Sequence, residues 1–168
     1  FQSELYNNNT DNLKLTTLKT YKNEITDIQV INKNEIWVAL WNGGVDIINN
    51  NNQISQFKKD IITRLSKNHT SVFLLTEDQN LWIGTRGEGL YKVDLNNETI
   101  EEYTPTIENK LTSNAILSLY EDKNKNIWVG TRSGGLNKYV KETNSFKSFR
   151  KLNGVLSNTI SSIEEDHD

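Results

Sequence analysis

The sequence predicts an all-β protein, a β-propeller fragment of about three full four-stranded antiparallel blades with partial blades at both ends. One phrase occurs three times, as IWVALWNGGV, LWIGTRGEGLY and IWVGTRSGGL, and sets its tryptophans 45 and 46 residues apart. Each copy also contains four short apolar segments separated by polar turns. A four-stranded unit that repeats at this interval is the signature of a propeller blade.

The third copy shows the predicted strands most clearly. Residues 115–121 alternate with bulky groups on both faces, which indicates a strand buried on both sides. A second strand at 127–131 and a third at 136–140 flank the tight turn Ser133-Gly134-Gly135, and a short outer strand follows at 146–150. These segments predict an antiparallel meander.

The other two copies follow the same plan. Their predicted strands are 71–78, 81–85, 89–93 and 100–103 in the second copy, and 25–31, 36–40, 44–48 and 54–57 in the first. No stretch shows a sustained helical stripe, so we expect almost no α-helix. The predicted blades are residues 22–58, 66–104 and 112–150.

Both ends of the chain read as parts of further blades. Residues 1–21 predict the last two strands of a preceding blade, and residues 156–168 the first strand of a following one. A closed propeller needs at least four blades, so we expect the chain to belong to a larger protein. The apolar faces near Leu5/Leu18 and Ile160/Ile163 are expected to be covered by the remainder of that protein or by another copy of this chain.

Composition excludes several partners and chemistries. The net charge is −3 and the sequence has no basic block, which argues against nucleic acid as a partner. The sequence also has no apolar run of 18 residues, so we predict no contact of this segment with a membrane. The chain has no cysteine and two histidines, neither near a serine–acid arrangement. Neighbouring carboxylates such as Glu101 and Glu102 point to opposite faces of a strand. We therefore predict no catalytic residues and no cofactor, and a segment that is not an enzyme.

The start of a calcium-loop pattern occurs at Asp122. Residues 122–126 read D-x-N-x-N, but the sixth and twelfth positions hold Ile127 and Ser133 in place of glycine and glutamate. A polar hairpin turn explains the pattern better, and we predict no metal.

The repeated tryptophans have two interpretations, a sugar-stacking platform or a structural core. Trp37, Trp82 and Trp128 occupy the same place in every copy and are flanked by aliphatic residues. An aromatic residue in that setting is favoured as core between adjacent blades.

The repeat also carries a family resemblance. The pattern L-x-S-N-x-I followed by E-D and then W-[VI]-G-T-x-x-G-G-L resembles the two-component regulator propeller repeat, best over residues 111–137, well over 72–92 and in part over 156–166. The first copy departs from it at Ala39, Leu40 and Trp41.

The resemblance implies a function. It implies a periplasmic sensor region of a hybrid two-component receptor of Bacteroidetes, which responds to oligosaccharides and whose parent protein carries histidine kinase activity. A protein-interaction scaffold on a secreted or surface protein is the alternative. A propeller hydrolase or lyase is less favoured.

A ligand is expected on the rim that carries the turns between second and third strands. The predicted ligand-binding residues are Trp41, Asn42, Arg86, Glu88, Arg132 and Ser133, with Thr70, Asn114 and Asn158 leading into the inner strands nearby. One indole and two guanidinium groups favour a sugar that carries carboxylate or sulfate. Equally, the arginines are explained as exposed turn residues tied to local acids such as Glu88.

Overall fold

A computed structural model describes residues 3–9, 14–50 and 53–166. Its strands are β1 (Ser3–Asn9), β2 (Lys14–Tyr21), β3 (Ile25–Asn32), β4 (Glu35–Leu40), β5 (Gly44–Asn49), β6 (Thr70–Leu75), β7 (Asn80–Thr85), β8 (Leu90–Asp94), β9 (Thr99–Tyr103), β10 (Ile116–Glu121), β11 (Ile127–Thr131), β12 (Leu136–Val140) and β13 (Ser145–Phe149). One helix, α1 (Gln56–Leu65), lies between β5 and β6. Within these residues no helix is long and apolar enough to cross a membrane.

The predicted all-β propeller fragment is confirmed. The strands form separate antiparallel sheets in chain order, β3–β4–β5, β6–β7–β8–β9 and β10–β11–β12–β13, which we call the first, second and third blades. A two-stranded sheet of β1 and β2 precedes them, where the sequence predicts the end of another blade. Consecutive blades pack through their inner strands.

The first blade differs from the prediction, because a helix replaces its outer strand. The expected strand at 54–57 is wrong, and α1 is a short helix in a described fold that otherwise has the expected near-absence of α-helix. Ser55 caps α1 by accepting a hydrogen bond from the Lys58 amide at 3.4 Å. Ile61 and Leu65, four residues apart on one helix face, are buried in the core between the first and second blades. Burial of this stripe stabilises helix over strand.

The register places the three repeated tryptophans in equivalent positions. Trp37 lies opposite Ile47, whereas Trp82 and Trp128 lie opposite Lys92 and Lys138. Trp37 is fully buried and Trp82 is 2% exposed, and both pack in the hydrophobic clusters between blades. Trp128 is half-buried, because no described blade packs on its face of the third blade.

The segment at the end of the described chain is extended and follows the third blade. Residues 156–166, where a first strand is predicted, form no sheet ladder within the described part. The Ile160 amide nevertheless donates to the Thr131 carbonyl at 2.9 Å. Ile160 and Ile163 are half-buried, Leu18 is 40% exposed, and the side chain of Leu5 lies outside the described part of the chain.

A buried ion pair joins α1 to the first blade. Glu35 is 4% exposed, and both of its carboxylate oxygens lie 2.6 Å from the Lys58 ammonium. The Trp37 indole also donates to Glu35, at 2.9 Å. Although burial alone raises the pKa of Glu35, the hydrogen bonds from Lys58 and Trp37 hold the pKa below its usual value. The carboxylate is therefore charged in the folded protein.

This ion pair predicts acid sensitivity. Because the folded pKa of Glu35 is lowered, its stabilisation is present above the unfolded pKa of roughly 4.3 and is lost as the pH falls through the folded pKa. Glu35→Gln keeps the shape and removes the titration. We expect the difference in unfolding free energy between wild type and Glu35→Gln to shrink as urea titrations move from neutral pH towards pH 3, and a difference independent of pH would contradict the prediction.

Candidate ligand-binding rim

One edge of the blades gathers the turns between second and third strands together with the entries to the inner strands. In each case a glycine amide at the turn donates to an asparagine carbonyl of the next repeat: Gly44 to Asn68 at 3.0 Å, Gly89 to Asn114 at 3.0 Å and Gly135 to Asn158 at 2.8 Å. These bonds link each repeat to the next. They place the predicted rim residues along one edge.

An aromatic and cationic cluster forms where the first and second blades meet on this rim. The ring centroids of Trp41 and His69 are 4.9 Å apart with the planes tilted by 48°. The guanidinium carbon of Arg86 lies 6.0 Å from the Trp41 ring centroid, at the outer limit of a cation–π contact. The Arg86 amide donates to the His69 carbonyl at 2.9 Å, so the backbone positions the two side chains together.

The third-blade part of the rim is separate from this cluster. Arg132 and Ser133 are exposed, and the Arg132 carbonyl accepts a hydrogen bond from the Thr159 hydroxyl. No ring contact joins Arg132 to an aromatic side chain of the described chain. Of the two predicted guanidinium groups, only that of Arg86 therefore accompanies the indole.

Local acids do not pair with the rim arginines. Neither Arg86 nor Arg132 forms an ion pair with any described residue. Glu88 is exposed, and its amide donates to the Thr85 hydroxyl at 2.9 Å, which shapes the turn. The interpretation of these arginines as turn residues tied to Glu88 is therefore not supported, and both guanidinium groups are open to solvent.

The predicted asparagines have different roles. Asn42 has φ 58°, and its carbonyl accepts from the Asn23 side chain at 3.4 Å. Asn158 accepts a hydrogen bond from the Lys151 amide through its side chain at 2.9 Å. The side-chain oxygen of Asn114 is buried and has no partner in the described chain. A buried acceptor of this kind usually has a hydrogen-bond partner, and an ordered water is small enough to supply it.

In the second blade, the rim position that the sequence assigned to Thr70 belongs to Asn68 and His69. Thr70 is fully buried in β6 and does not lie on the rim surface. The equivalent of Asn114 and Asn158 is Asn68, and its half-buried neighbour is His69, which sequence reasoning missed. Aligning the copies on S/K-N-x-[TI] at 67–70, 113–116 and 157–160 gives the signal.

A cleft lies towards the opposite rim of the second and third blades. It has a volume of about 1000 Å³ and is lined by turn residues of the second and third blades, such as Asp78 and Lys125, and by strand residues of the third blade, such as Trp128, Lys138 and Phe149. Lys125 pairs with Glu77 there at 2.6 Å, so charges of both signs are present. None of the predicted rim residues lines this cleft.

The calcium-like turn is held by its own hydrogen bonds. The Asp122 carboxylate accepts from the amides of Asn124 at 2.9 Å and Asn126 at 2.8 Å, and from the Trp128 indole at 2.8 Å. Burial raises the pKa of Asp122, but these donors outweigh it and lower the pKa overall. Among residues 3–9, 14–50 and 53–166, no group of three or more His, Asp or Glu side chains is arranged to hold a metal.

Comparison with protein families identifies the repeat. Residues 110–133 match the family model described as the two component regulator propeller. Residues 110–133 are therefore a two-component regulator propeller repeat. This confirms the resemblance expected from the sequence, and the matched repeat covers the turn into β10, all of β10 and β11, and the rim residues Arg132 and Ser133. No curated protein matches the chain significantly.

Solved structures share the fold of this propeller-repeat chain. The extracellular domain of BT4673 from B. thetaiotaomicron, named as a hybrid two component system, aligns with a TM-score of 0.60 and 22% identity over 73% of this chain and 15% of that chain. A second BT4673 structure, named as a one component system, gives 0.61 and 22% over 74% and 16%. The extracellular domain of BT3049 from the same organism, named as a hybrid two component system, gives 0.58 and 24% over 85% and 18%. This chain spans less than a fifth of those structures.

Proposed function

We propose that this chain is a segment of the extracytoplasmic sensor region of a hybrid two-component signalling receptor that responds to an oligosaccharide. The two-component regulator propeller repeat at residues 110–133 carries the proposal. The fold, which is also that of extracellular domains from B. thetaiotaomicron, supports it. In this function the segment binds the oligosaccharide and passes the signal on to the rest of the receptor. Any kinase activity belongs to other parts of the receptor.

The Trp41–His69–Arg86 cluster is the proposed ligand contact. An exposed indole face packs against the apolar face of a sugar ring, and a guanidinium group binds a carboxylate or sulfate in a bidentate manner. Arg86 has no acid partner among the described residues, so its charge is available to a ligand. An acidic oligosaccharide is the ligand class that fits this chemistry.

Removal of the rim arginines tests the proposal. In the intact sensor region, Arg86→Ala combined with Arg132→Ala is expected to weaken binding of the cognate acidic oligosaccharide at least about tenfold, since a hydrogen bond to a charged group contributes roughly 1.5–3 kcal/mol. Arg86→Ala alone is expected to produce most of the loss, because Arg86 lies beside Trp41. Isothermal titration calorimetry measures both.

The control for the arginine variants removes an exposed positive charge that lies away from the rim. Lys59→Ala, on the exposed side of α1, is expected to leave affinity unchanged. Unchanged affinity in the double arginine variant would place the ligand outside this rim. Absence of any glycan binding by the intact region, with retained binding of a protein partner, would instead favour the scaffold alternative.

A further inference from the structure

The third blade has one sheet face that no described blade covers. Residues directly opposite each other on paired strands share a face. The register aligns Trp128 with Lys138 and Lys138 with Lys147, and it places Leu136 opposite Phe149. We call these five residues the open face. Its two aromatic residues are half-buried and Lys147 is exposed.

The second blade shows what covers such a face. Its equivalent residues are Trp82, Leu90, Lys92, Glu101 and Tyr103. The three apolar members are at most 2% exposed, because the third blade packs on them. The third blade contributes aromatic rings, with Tyr139 centred 5.0 Å from Trp82 and Phe146 5.3 Å from Tyr103. The natural partner of this type of face is another blade.

One position of the open face differs in charge from its equivalent. In the second blade Lys92 lies opposite Glu101, with 3.2 Å between the ammonium and carboxylate groups. The third blade supplies a further donor to that carboxylate, the Asn144 side chain at 2.8 Å. In the third blade the glutamate is replaced by Lys147, which lies opposite Lys138. Two like charges directly opposite each other destabilise a strand pair.

The two lysines of the open face have ring contacts but no acid. The Lys138 ammonium lies 5.3 Å from the Trp128 ring centroid, and that of Lys147 lies 5.5 Å from the Phe149 ring centroid. Neither forms an ion pair within the part of the chain that the structure describes. Covering this face removes water from two positive charges, which is costly unless the covering surface supplies a carboxylate.

Residues 156–166 lie beside the third blade in the position that the entry to β10 has beside the second blade. Between the second and third blades, Gly89 donates to Asn114 at 3.0 Å, and the Ser71 hydroxyl donates to the Ile116 carbonyl at 2.9 Å. Residues 156–166 repeat these contacts on the third blade. There Gly135 donates to Asn158 at 2.8 Å and the Ser118 hydroxyl donates to the Ile160 carbonyl at 3.2 Å. The interface that joins the second and third blades thus continues past the third.

Leu156 is exposed, although the equivalent leucine of the preceding repeat is buried. Its counterpart Leu111 is 3% exposed and packs in the core between the second and third blades. Leu156 is 94% exposed. No described strand packs on Leu156, whereas Phe146 in the outer strand of the third blade packs in the same cluster as Leu111.

We propose that the open face binds a further blade of the same polypeptide, and that this blade places an aspartate or glutamate carboxylate against Lys138 and Lys147. The incoming surface is apolar and aromatic where it meets Trp128 and Phe149, and acidic where it meets the lysines. The inference is independent of the ligand and of the sensor function proposed above.

Zero-length carbodiimide cross-linking of the full-length natural protein tests the proposal, because it joins an amine to a carboxylate in direct contact. Peptide mass spectrometry is expected to find Lys138 or Lys147 joined to an acidic residue outside residues 1–168. Lys147→Gln is expected to abolish the product that contains residue 147. The Lys125–Glu77 pair, at 2.6 Å and exposed, is the internal control for the reaction.

Two results would overturn the proposal. The first is cross-linking of Lys125 to Glu77 with none at Lys138 or Lys147. The second is a cross-link from either lysine to a different copy of the chain, detected by mixing ¹⁴N- and ¹⁵N-labelled protein, which would make a second copy the occupant.

Discussion

Replacement of Trp82 by alanine is expected to lower the free energy of unfolding by about 3–5 kcal/mol, the usual cost of removing a buried large aromatic side chain. Trp82 is 2% exposed and contacts rings from two blades, Tyr103 at 5.8 Å and Tyr139 at 5.0 Å between centroids. The third blade is held to the second through these contacts, so the cavity cannot close without moving a blade. Urea denaturation followed by circular dichroism measures the loss.

The repeat offers a matched control for this variant. Trp128 occupies the equivalent strand position but is half-buried. We expect Trp128→Ala to destabilise this chain less than Trp82→Ala, because less apolar area is removed from a packed environment. An equal or larger loss for Trp128→Ala would show that position in the repeat, and not coverage by the next blade, determines the contribution.

Replacement of Gly89 by alanine is expected to cost about 2–4 kcal/mol, combining left-handed backbone strain with overpacking. Gly89 has φ +89°, and a Cβ atom there would lie 2.3 Å from the Tyr103 carbonyl oxygen. Relief of this clash requires a backbone shift, which also disturbs the bond from the Gly89 amide to Asn114 in the third blade. The variant is therefore expected to loosen the junction between blades as well as the turn.

Gly87, two residues earlier in the same turn, is the control. A Cβ atom at Gly87 meets nothing within 4 Å, and the backbone there is not left-handed. Gly87→Ala is expected to change the unfolding free energy by less than about 0.5 kcal/mol, as for most exposed substitutions. If the two variants had similar melting behaviour, the steric argument for Gly89 would be incorrect.

Much of the fold was predictable because the same pattern of apolar segments and turn residues occurs in three copies. A single apolar segment of five residues is ambiguous, but three copies in phase define strand number, strand order and the tight turns around Gly89 and Gly135. The equivalent placement of Trp37 and Trp82 also follows from the repeat, since equivalent strands in stacked blades bury equivalent residues.

The repeat pattern gave a wrong prediction at residues 54–57, because a helix at residues 56–65 takes the place of the expected outer strand. Ile54 and Phe57 match the spacing of the outer strands in the other copies. However, the residues that decide between strand and helix are Ile61 and Leu65, which lie beyond the expected strand and are buried against the first and second blades. Local spacing alone does not reveal that this pocket between blades accepts a helix.

For the candidate site, the sequence by itself determined the rim, because the direction of a meander fixes which turns share an edge. Only the tertiary structure decided which rim residues meet. Trp41 comes from the first blade, whereas His69 and Arg86 come from the second, and the contacts of the Trp41 ring depend on the rotation between blades, which no local pattern encodes. The burial of Trp128 was undecidable in the same way, because the coverage of a sheet face is a property of the neighbouring blade and not of the strand that bears the residue.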